Sequence, residues 1–561
     1  MGQVTMQDKT AAEVDLLDRH SMAVWEIADS EEPGATGDRV TARDLHFGVT
    51  PQNPRIGGLA RFGTRCNLTG ASLTRIRRRL AQGWRLVLDL KTTEALSAIK
   101  EIELQLDDVP LAEAERLRPA AQLLRAASLA VQDDRLGSFA IAAKYLRKGD
   151  TETNDYVATT LCRLGFWQTG QFDAFCSLPR HDPRLRMSKS RATCAVLDMY
   201  MEAAVSLEHL NLSAAKWLAT DALSLARTAK VAAGVEALPA TLLANVLYEE
   251  GSLDEAHTIL RNRLPAINAQ GSVESALRAY SILARIARLR MQRDLAAILL
   301  REGQALGERR GWPRLIAACV TERVLLLLEA GRPKEARRSV EYLERYVDEP
   351  GKARGTGSSD LSRYAVLARC RLSQAEAPCR EVFAAIRNLY HDALERRDSY
   401  RGYKLAIELA GMLASSTEVA EAANLFSGVL RVGAASGLCQ GFLEGGPAIH
   451  RLLGQAYEQA GNPGSADREL LPFVGSLLAR WDACRSTDAR SNAESAMSDI
   501  LTERERDILA KISQGLPNKR IARTLEISPE TVKSHIKRIF LKLAVGTRAE
   551  AVSQAMSLGL L

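Results

Sequence analysis

Between Ser528 and Leu543 the chain reads SPETVKSHIKRIFLKL, which gathers Lys533, Lys537, Arg538 and Lys542, with Thr531, Ser534 and His535 among them and Glu530 as the one acid. Side chains of these types at three and four spacing suit recognition rather than bond chemistry. Lysine and arginine bind phosphate oxygens and base edges, and hydroxyl groups supply further hydrogen bonds. The surroundings share the bias: residues 501 to 561 hold eleven Lys and Arg against six acids, a net +5 out of +7 for the whole chain. A second run, Arg55 to Arg85, carries eight arginines and no acid. Charge of this kind points toward polyanions, with a solvated face as the alternative. For the second run the readings are a further DNA or membrane contact, or a solvated or disordered arm.

Other chemistries find no residues to carry them. The nine cysteines form no C-x-x-C pair and no cluster with histidine at metal spacing, and read as reduced cytoplasmic thiols. His535 has no second ligand or activated nucleophile beside it, so a phosphate or capping role suits it better than catalysis. A phosphate loop, G-x-x-x-x-G-K-[ST], does not occur, since Gly351-Lys352 is followed by Ala353. No catalytic, cofactor or metal residues are therefore expected, and the chain reads as a non-enzyme. The first twenty residues contain acids and no apolar run, which argues against a secretory signal. The stretch LIAACVTERVLLLLEAG is broken by Glu322 and Arg323, so no membrane span is expected and a cytoplasmic location is predicted.

The basic side chains need a helix to hold them. At 100° per residue Val532, Ile536, Ile539 and Leu543 fall within about 60° of arc and form a buried stripe. Lys533 and Lys537 then lie to one side, Thr531, His535, Arg538 and Lys542 to the other, and Ser534 points outward. Ser528 caps this helix and Pro529 takes its first position, where no amide donor is needed. Upstream, Thr502 with Glu505 fits a capping box before Ile508, Leu509 and Ile512, Gly515 stops that helix, and Asn518 caps a short helix with Ile521, Ala522 and Leu525. Thr547 with Glu550 makes a box for a fourth helix. With only Glu526 and Ile527 between the middle two, the spacing is that of a helix-turn-helix.

The segment LTERERDILAKISQGLPNKRIARTLEISPETVKSHIKRIFLKL resembles the LuxR-type (NarL/FixJ-type) DNA-binding domain, with its L-T-x-R-E, G-x-x-N-K-x-I-A, S-x-x-T-V-K-x-H and K-L elements. The resemblance implies that Lys533, Ser534 and Lys537 face bases in double-stranded DNA. It implies that Asn518, Lys519, Thr531, His535, Arg538 and Lys542 contact phosphates or hold the recognition helix. Glu505 and Arg548 match structural positions, for which an internal ion pair is the simplest reading. Ala551, Val552 and Ala555 match the family's dimer contact, although core packing explains their spacing equally well. Ala544 stands where glycine is frequent, with Gly546 two residues on.

Ahead of this unit, composition and periodicity indicate an all-α protein: 46% hydrophobic, only 5% aromatic, with helix after helix from about Leu73. EEGSLDEAHTIL, LRMQRDLAAILL and EAGRPKEARRSV place Gly251, Met291 and Gly331 ahead of Ala256, Ala296 and Ala336, forty residues apart. Gly170 with Ala174 and Asn211 with Ala215 extend the series upstream, and Ala420 and Ala466 mark weaker copies downstream. Each copy reads as helix, turn and second helix, and such hairpins are stable only when stacked. The pattern resembles the tetratricopeptide-type superhelix of MalT-like regulators over roughly residues 85 to 480. The predicted division is an irregular or partly disordered segment over 1–72, the repeat domain over 73–484, a linker over 485–499 and the helix-turn-helix domain over 500–561. EPGKARGTGSSD, 349 to 360, reads as a mobile loop within the array.

These resemblances imply a transcriptional regulator. A small-molecule or protein effector would bind the concave face of the repeats and control a domain that dimerises on promoter half-sites, with RNA polymerase as a further partner. MalT-like regulators usually carry an ATPase; here the expectation is the sensor and the DNA reader without it, and without a receiver domain. The alternative is a repeat scaffold for proteins whose C-terminal domain no longer reads DNA.

Overall fold

The computed structural model describes residues 60–88, 91–146, 152–180, 189–349, 357–376, 380–416, 418–462, 465, 467–491, 501, 503–543, 545 and 547–557. The protein is all-α, with no strand among the described residues. Four hairpins form its regular part: Lys189–Glu208 with Leu212–Thr228, Ala233–Glu249 with Leu253–Gln270, Val273–Leu289 with Arg293–Arg310, and Pro313–Glu329 with Pro333–Asp348. Every turn is built alike. A residue with left-handed backbone ends the first helix of each hairpin, Leu210, Gly251, Met291 and Gly331, and Gly170 does the same between Glu152–Gln168 and Phe172–Ser177. The next amide returns to a carbonyl five residues back, as in Ser252 to Leu247 (2.8 Å), Gln292 to Ala287 (2.8 Å) and Arg332 to Leu327 (2.9 Å). This satisfies carbonyls that the helix end would leave unpaired.

The regularity corrects one sequence assignment. Leu210, not Asn211, takes the left-handed turn at φ 63°, while the Asn211 side chain caps the following helix by accepting from the Ala214 amide at 3.1 Å. A branched side chain in that region costs about 1 kcal/mol or more relative to glycine, which the bonds of the surrounding turn offset. The buried small residue also follows a simple rule: it is the fourth residue of the second helix. Ala215, Ala256, Ala296 and Ala336 are all buried, whereas Ala174 is only the third residue of Phe172–Ser177 and half-buried, the buried fourth position there being Phe175. Ala420 is exposed because its helix starts at Val419, which makes Ala422 the fourth residue and the buried one. Ala466 lies outside the described residues.

The array is more than a row of neighbours. One apolar core joins Trp167, Tyr200, Leu212 and Leu242 to Tyr403, Phe426, Phe442 and Val474, so early and late hairpins share an interior. Polar contacts cross the same junction: Tyr400 Oη donates to Glu249 Oε1 (2.5 Å), Lys404 Nζ donates to the same oxygen (2.9 Å), and the Cys439 amide reaches the Glu249 carbonyl (3.0 Å). A second junction is ionic. Arg314 donates to both carboxylate oxygens of Asp133 (2.6 Å each) and to Glu274 (2.7 Å). Arg135 reaches Glu274 (3.0 Å) and Asp360 (3.5 Å). Burial alone would raise the Glu274 carboxyl, but Arg314, Arg135 and Arg278 outweigh it and hold it at about 2.

The boundaries shift from those read in the sequence. A helix, Ala60–Leu88, begins inside the stretch expected to be irregular up to residue 72, because Ile76, Leu80, Trp84 and Val87 give it a buried seam. The helix Leu471–Ser491 runs past residue 484 into the expected linker, with no glycine or proline after Gly475 to stop it. Helix Gly357–Glu376 begins within the expected loop and buries Asp360. Residues 1–59, 350–356 and 492–500 lie outside the described residues. No described helix is long and apolar enough to cross a membrane. The cysteines whose side chains are described, 162, 176, 194, 319, 370 and 439, are unbridged.

Candidate nucleic-acid interface

The last unit has a core of its own, with Leu501, Ile508, Leu509, Ile512, Ile521, Val532, Ile539 and Leu543 among its members. Four helices surround it: Glu503–Ser513, Asn518–Thr524, Pro529–Leu543 and Arg548–Ser557. The first ends at Gly515, whose φ of 75° turns the chain, with the Leu516 amide on the Lys511 carbonyl (3.2 Å). Between the second and third, Glu526 takes a left-handed backbone (φ 53°) and the Ile527 amide bonds the Ala522 carbonyl (3.0 Å). Ser528 caps the third helix as expected, its Oγ accepting from the Thr531 amide at 3.1 Å, and Pro529 is the first helical residue. The Thr547 and Glu550 box is present in both directions at 3.2 Å. Thr502, Ala544 and Gly546 lie outside the described residues.

Two assignments change. Asn518 does not cap the second helix; Pro517 occupies that position without a side-chain bond, and Asn518 Oδ1 accepts from Arg548 Nη1 at 3.1 Å. Arg548 also donates to the Leu516 carbonyl, so it pins the second helix to the fourth, and the expected Glu505–Arg548 pair does not form. Glu505, buried at 2% exposure, is instead held by Lys542. Ala551 and Ala555 are fully buried in the domain's own core, which accounts for their spacing.

The third helix sorts its side chains sharply. Val532, Ile539 and Leu543 are buried, with Ile536 and Phe540 packed beside them. Lys533, Ser534, Lys537 and Arg538 are exposed. Lys533 pairs with Glu530 at 2.7 Å, but both are well exposed, and such a pair contributes little and exchanges readily for a stronger anion. Lys537 and Arg538 have no hydrogen bond or ion pair among the described residues. Thr531 is tied locally to Ser528, their hydroxyls 2.8 Å apart. His535 is half-buried with Nδ1 unpartnered. Lys519 is exposed on the second helix, as are Arg520 and Arg523, which the sequence reading passed over although they continue the same basic run.

The structure thus gathers Lys533, Ser534, Lys537 and Arg538 into one outward ridge, with Lys519 on the adjoining helix, and turns Asn518 and Lys542 inward to hold the domain together. An exposed helix of this width fits the major groove, where lysine and serine reach base edges and flanking cations meet phosphates. Lys542 is half-buried against a buried carboxylate, so its replacement acts first on folding. Lys542→Met is expected to destabilise the C-terminal domain by about 2 kcal/mol, by removing the cation that holds the buried Glu505 carboxylate. Urea denaturation followed by hydrogen exchange in residues 503–543 checks this, and an unchanged midpoint would contradict it.

Among the described residues no group of histidine, cysteine and acid side chains is placed to hold a metal, and burial pushes the Cys162, Cys194 and Cys319 thiols up to about 12.

Comparison with known proteins agrees with this geometry. Residues 499–555 match the family described as bacterial regulatory proteins, luxR family, and residues 172–459 match the MalT-like TPR region. The nitrate/nitrite response regulator protein NarL of Escherichia coli is 50% identical over 64 residues, which cover 11% of this chain and 30% of NarL. The CsgBAC operon transcriptional regulatory protein of Escherichia coli is 49% identical over 78 residues, 14% of this chain and 35% of that protein. The chain therefore spans about a third of the length of these curated relatives. Among solved structures, a Rap protein complexed with Competence and Sporulation Factor superposes with a TM-score of 0.47 at 14% identity, covering 65% of this chain and 99% of that one.

Proposed function

We propose that this chain, which belongs to the MalT-like TPR-region family and carries a luxR-family regulatory domain over residues 499–555, is a sequence-specific DNA-binding transcriptional regulator. The observation that carries the reading is the exposed ridge of Lys533, Ser534, Lys537 and Arg538 on a helix whose apolar seam is buried. In this reading Lys533, Ser534 and Lys537 meet base edges, Arg538 and Lys519 meet phosphates, and two copies of the domain occupy paired half-sites of a promoter. His535 and Thr531 set the pose of the helix, Lys542 fixes it to the first helix through Glu505, and Asn518 with Arg548 holds the second helix to the fourth.

The repeat region receives the signal, from a small molecule or a protein, and passes it on by favouring one of two arrangements of the chain. What supports this is the joining of early and late hairpins through a shared core and buried ion pairs, because an arrangement closed by such contacts has a definite open alternative. RNA polymerase is the partner to which a promoter-bound regulator of this kind would answer.

Selection of duplexes from a randomised pool by the full chain tests the reading. The expected product is one enriched motif in two half-sites, with affinity falling steeply as salt rises because phosphate contacts release counterions. A pool that emerges unenriched would sink it.

A further inference from the structure

The helix Ala60–Leu88 carries a feature that the C-terminal domain does not use. Ile76, Leu80, Trp84 and Val87 are buried and fix how the helix faces the array. On the surface it shows Arg75 and Arg78, both exposed, with Arg79 beside them. Arg79 is engaged: it pairs with Glu101 and donates to Gln82 at 3.1 Å. On the helix that carries Glu101, Thr92–Leu106, Glu103 is taken by Arg125 (2.6 Å) and Gln122 (2.9 Å) from the helix Leu111–Val131. Arg75 and Arg78 therefore have no hydrogen bond or ion pair among the described residues.

Other exposed arginines of the array show what an ordinary solvated face looks like. In the helix Pro333–Asp348 basic and acidic residues interleave, and Arg332 pairs with Glu335 (2.6 Å) and Arg337 with Glu376 (2.7 Å). The first helix has no acid anywhere, and it continues upstream through Arg61 and Arg65. Uncompensated guanidinium groups three residues apart, about 4.5 Å along the axis, suit a repeating line of oxyanions better than any single carboxylate. Duplex DNA offers one negative charge per about 1.7 Å of its axis, so a rigid arginine edge finds phosphates without needing a sequence.

We propose that the Arg75 and Arg78 edge is a second, sequence-independent contact to the phosphate backbone of duplex DNA beside the site read by the C-terminal domain. The inference rests on the DNA-binding reading for its occupant, and extends the footprint from the recognition helix to the repeat array. It assigns work to a basic run that base reading leaves idle.

The test uses the full chain and four probes: a short duplex ending at the selected site, a long duplex with flanks, a long duplex lacking the site, and phosphatidylglycerol vesicles. Arg75→Glu/Arg78→Glu is expected to weaken both long duplexes about tenfold, to lower the salt slope on them by about 2, and to leave the short duplex unchanged. Arg75→Lys/Arg78→Lys should keep most of the affinity. Equal loss on short and long duplexes, or no loss on either, overturns the proposal. So does a loss confined to phosphatidylglycerol vesicles, which would make the edge a membrane contact. Failure of the underlying reading looks different: wild type would not prefer the site-bearing long duplex, while the effect on the site-free duplex would still be measurable.

Discussion

Replacing Arg314 with methionine is expected to be the most damaging single change in the repeat region, at a cost of about 4 kcal/mol. The guanidinium is nearly enclosed, at 5% exposure, and holds Asp133 with two bonds and Glu274 with a third. Replacing every partner by well-packed apolar groups can be neutral, but removal of Arg314 alone leaves two buried carboxylates, Asp133 and Glu274, with Arg135 as the one cation among the described residues still paired to both. Hydrogen exchange should show the loss at both ends of the contact, near residues 131–142 and 313–329, although they are far apart in sequence. The pH profile supplies an independent check. Glu274 is held at about 2 in the folded chain against an ordinary 4.5, so its contribution is complete above about 4.5 and disappears as pH falls toward 2. In Arg314→Met that acid limb should flatten, because the strongest of the cations lowering the carboxyl is gone. Wild-type stability with an unchanged acid limb would contradict the account.

Paired replacement of Lys533 and Lys537 by alanine is expected to have the largest effect on DNA. Each lysine at a base edge is worth about 1 to 3 kcal/mol of discrimination, so the double variant should lose about a hundredfold or more on the selected site. The loss should shrink on unrelated sequences, since base preference is what goes. Both side chains lie outside the core, so the melting temperature should hold, in contrast to Lys542→Met. Gel shifts on selected and scrambled duplexes decide it, and equal affinity of wild type and variant for the selected site would overturn the assignment of this face.

The C-terminal unit was legible nearly to the residue because its signals are local. Ser528 next to Pro529, the Thr547 and Glu550 box and the 3.6-residue recurrence of Val532, Ile539 and Leu543 each act within a turn or two of backbone. What the reading missed there depended on contacts between helices. Nothing near Glu505 in sequence announces that Lys542, 37 residues later, will reach it before Arg548 can. The repeats were legible by recurrence, but their register was not always. Met291 was found by its recurrence, but Leu210 adopts the turn conformation without glycine, which only the surrounding bond pattern reveals, and Ala420 misled because the helix start had moved. The union of early and late hairpins left no trace in periodicity, because apolar residues that pack on a neighbour and those that pack on a distant hairpin look the same along the chain.

That union bears on how the molecule is made. Trp167 and Val474 belong to one core, and about 300 residues separate them. At ribosomal speeds of about 5 to 20 residues per second, the early hairpins wait on the order of tens of seconds for the helices that will cover them. During synthesis they are an oily surface with no lid, and a ready client for chaperones.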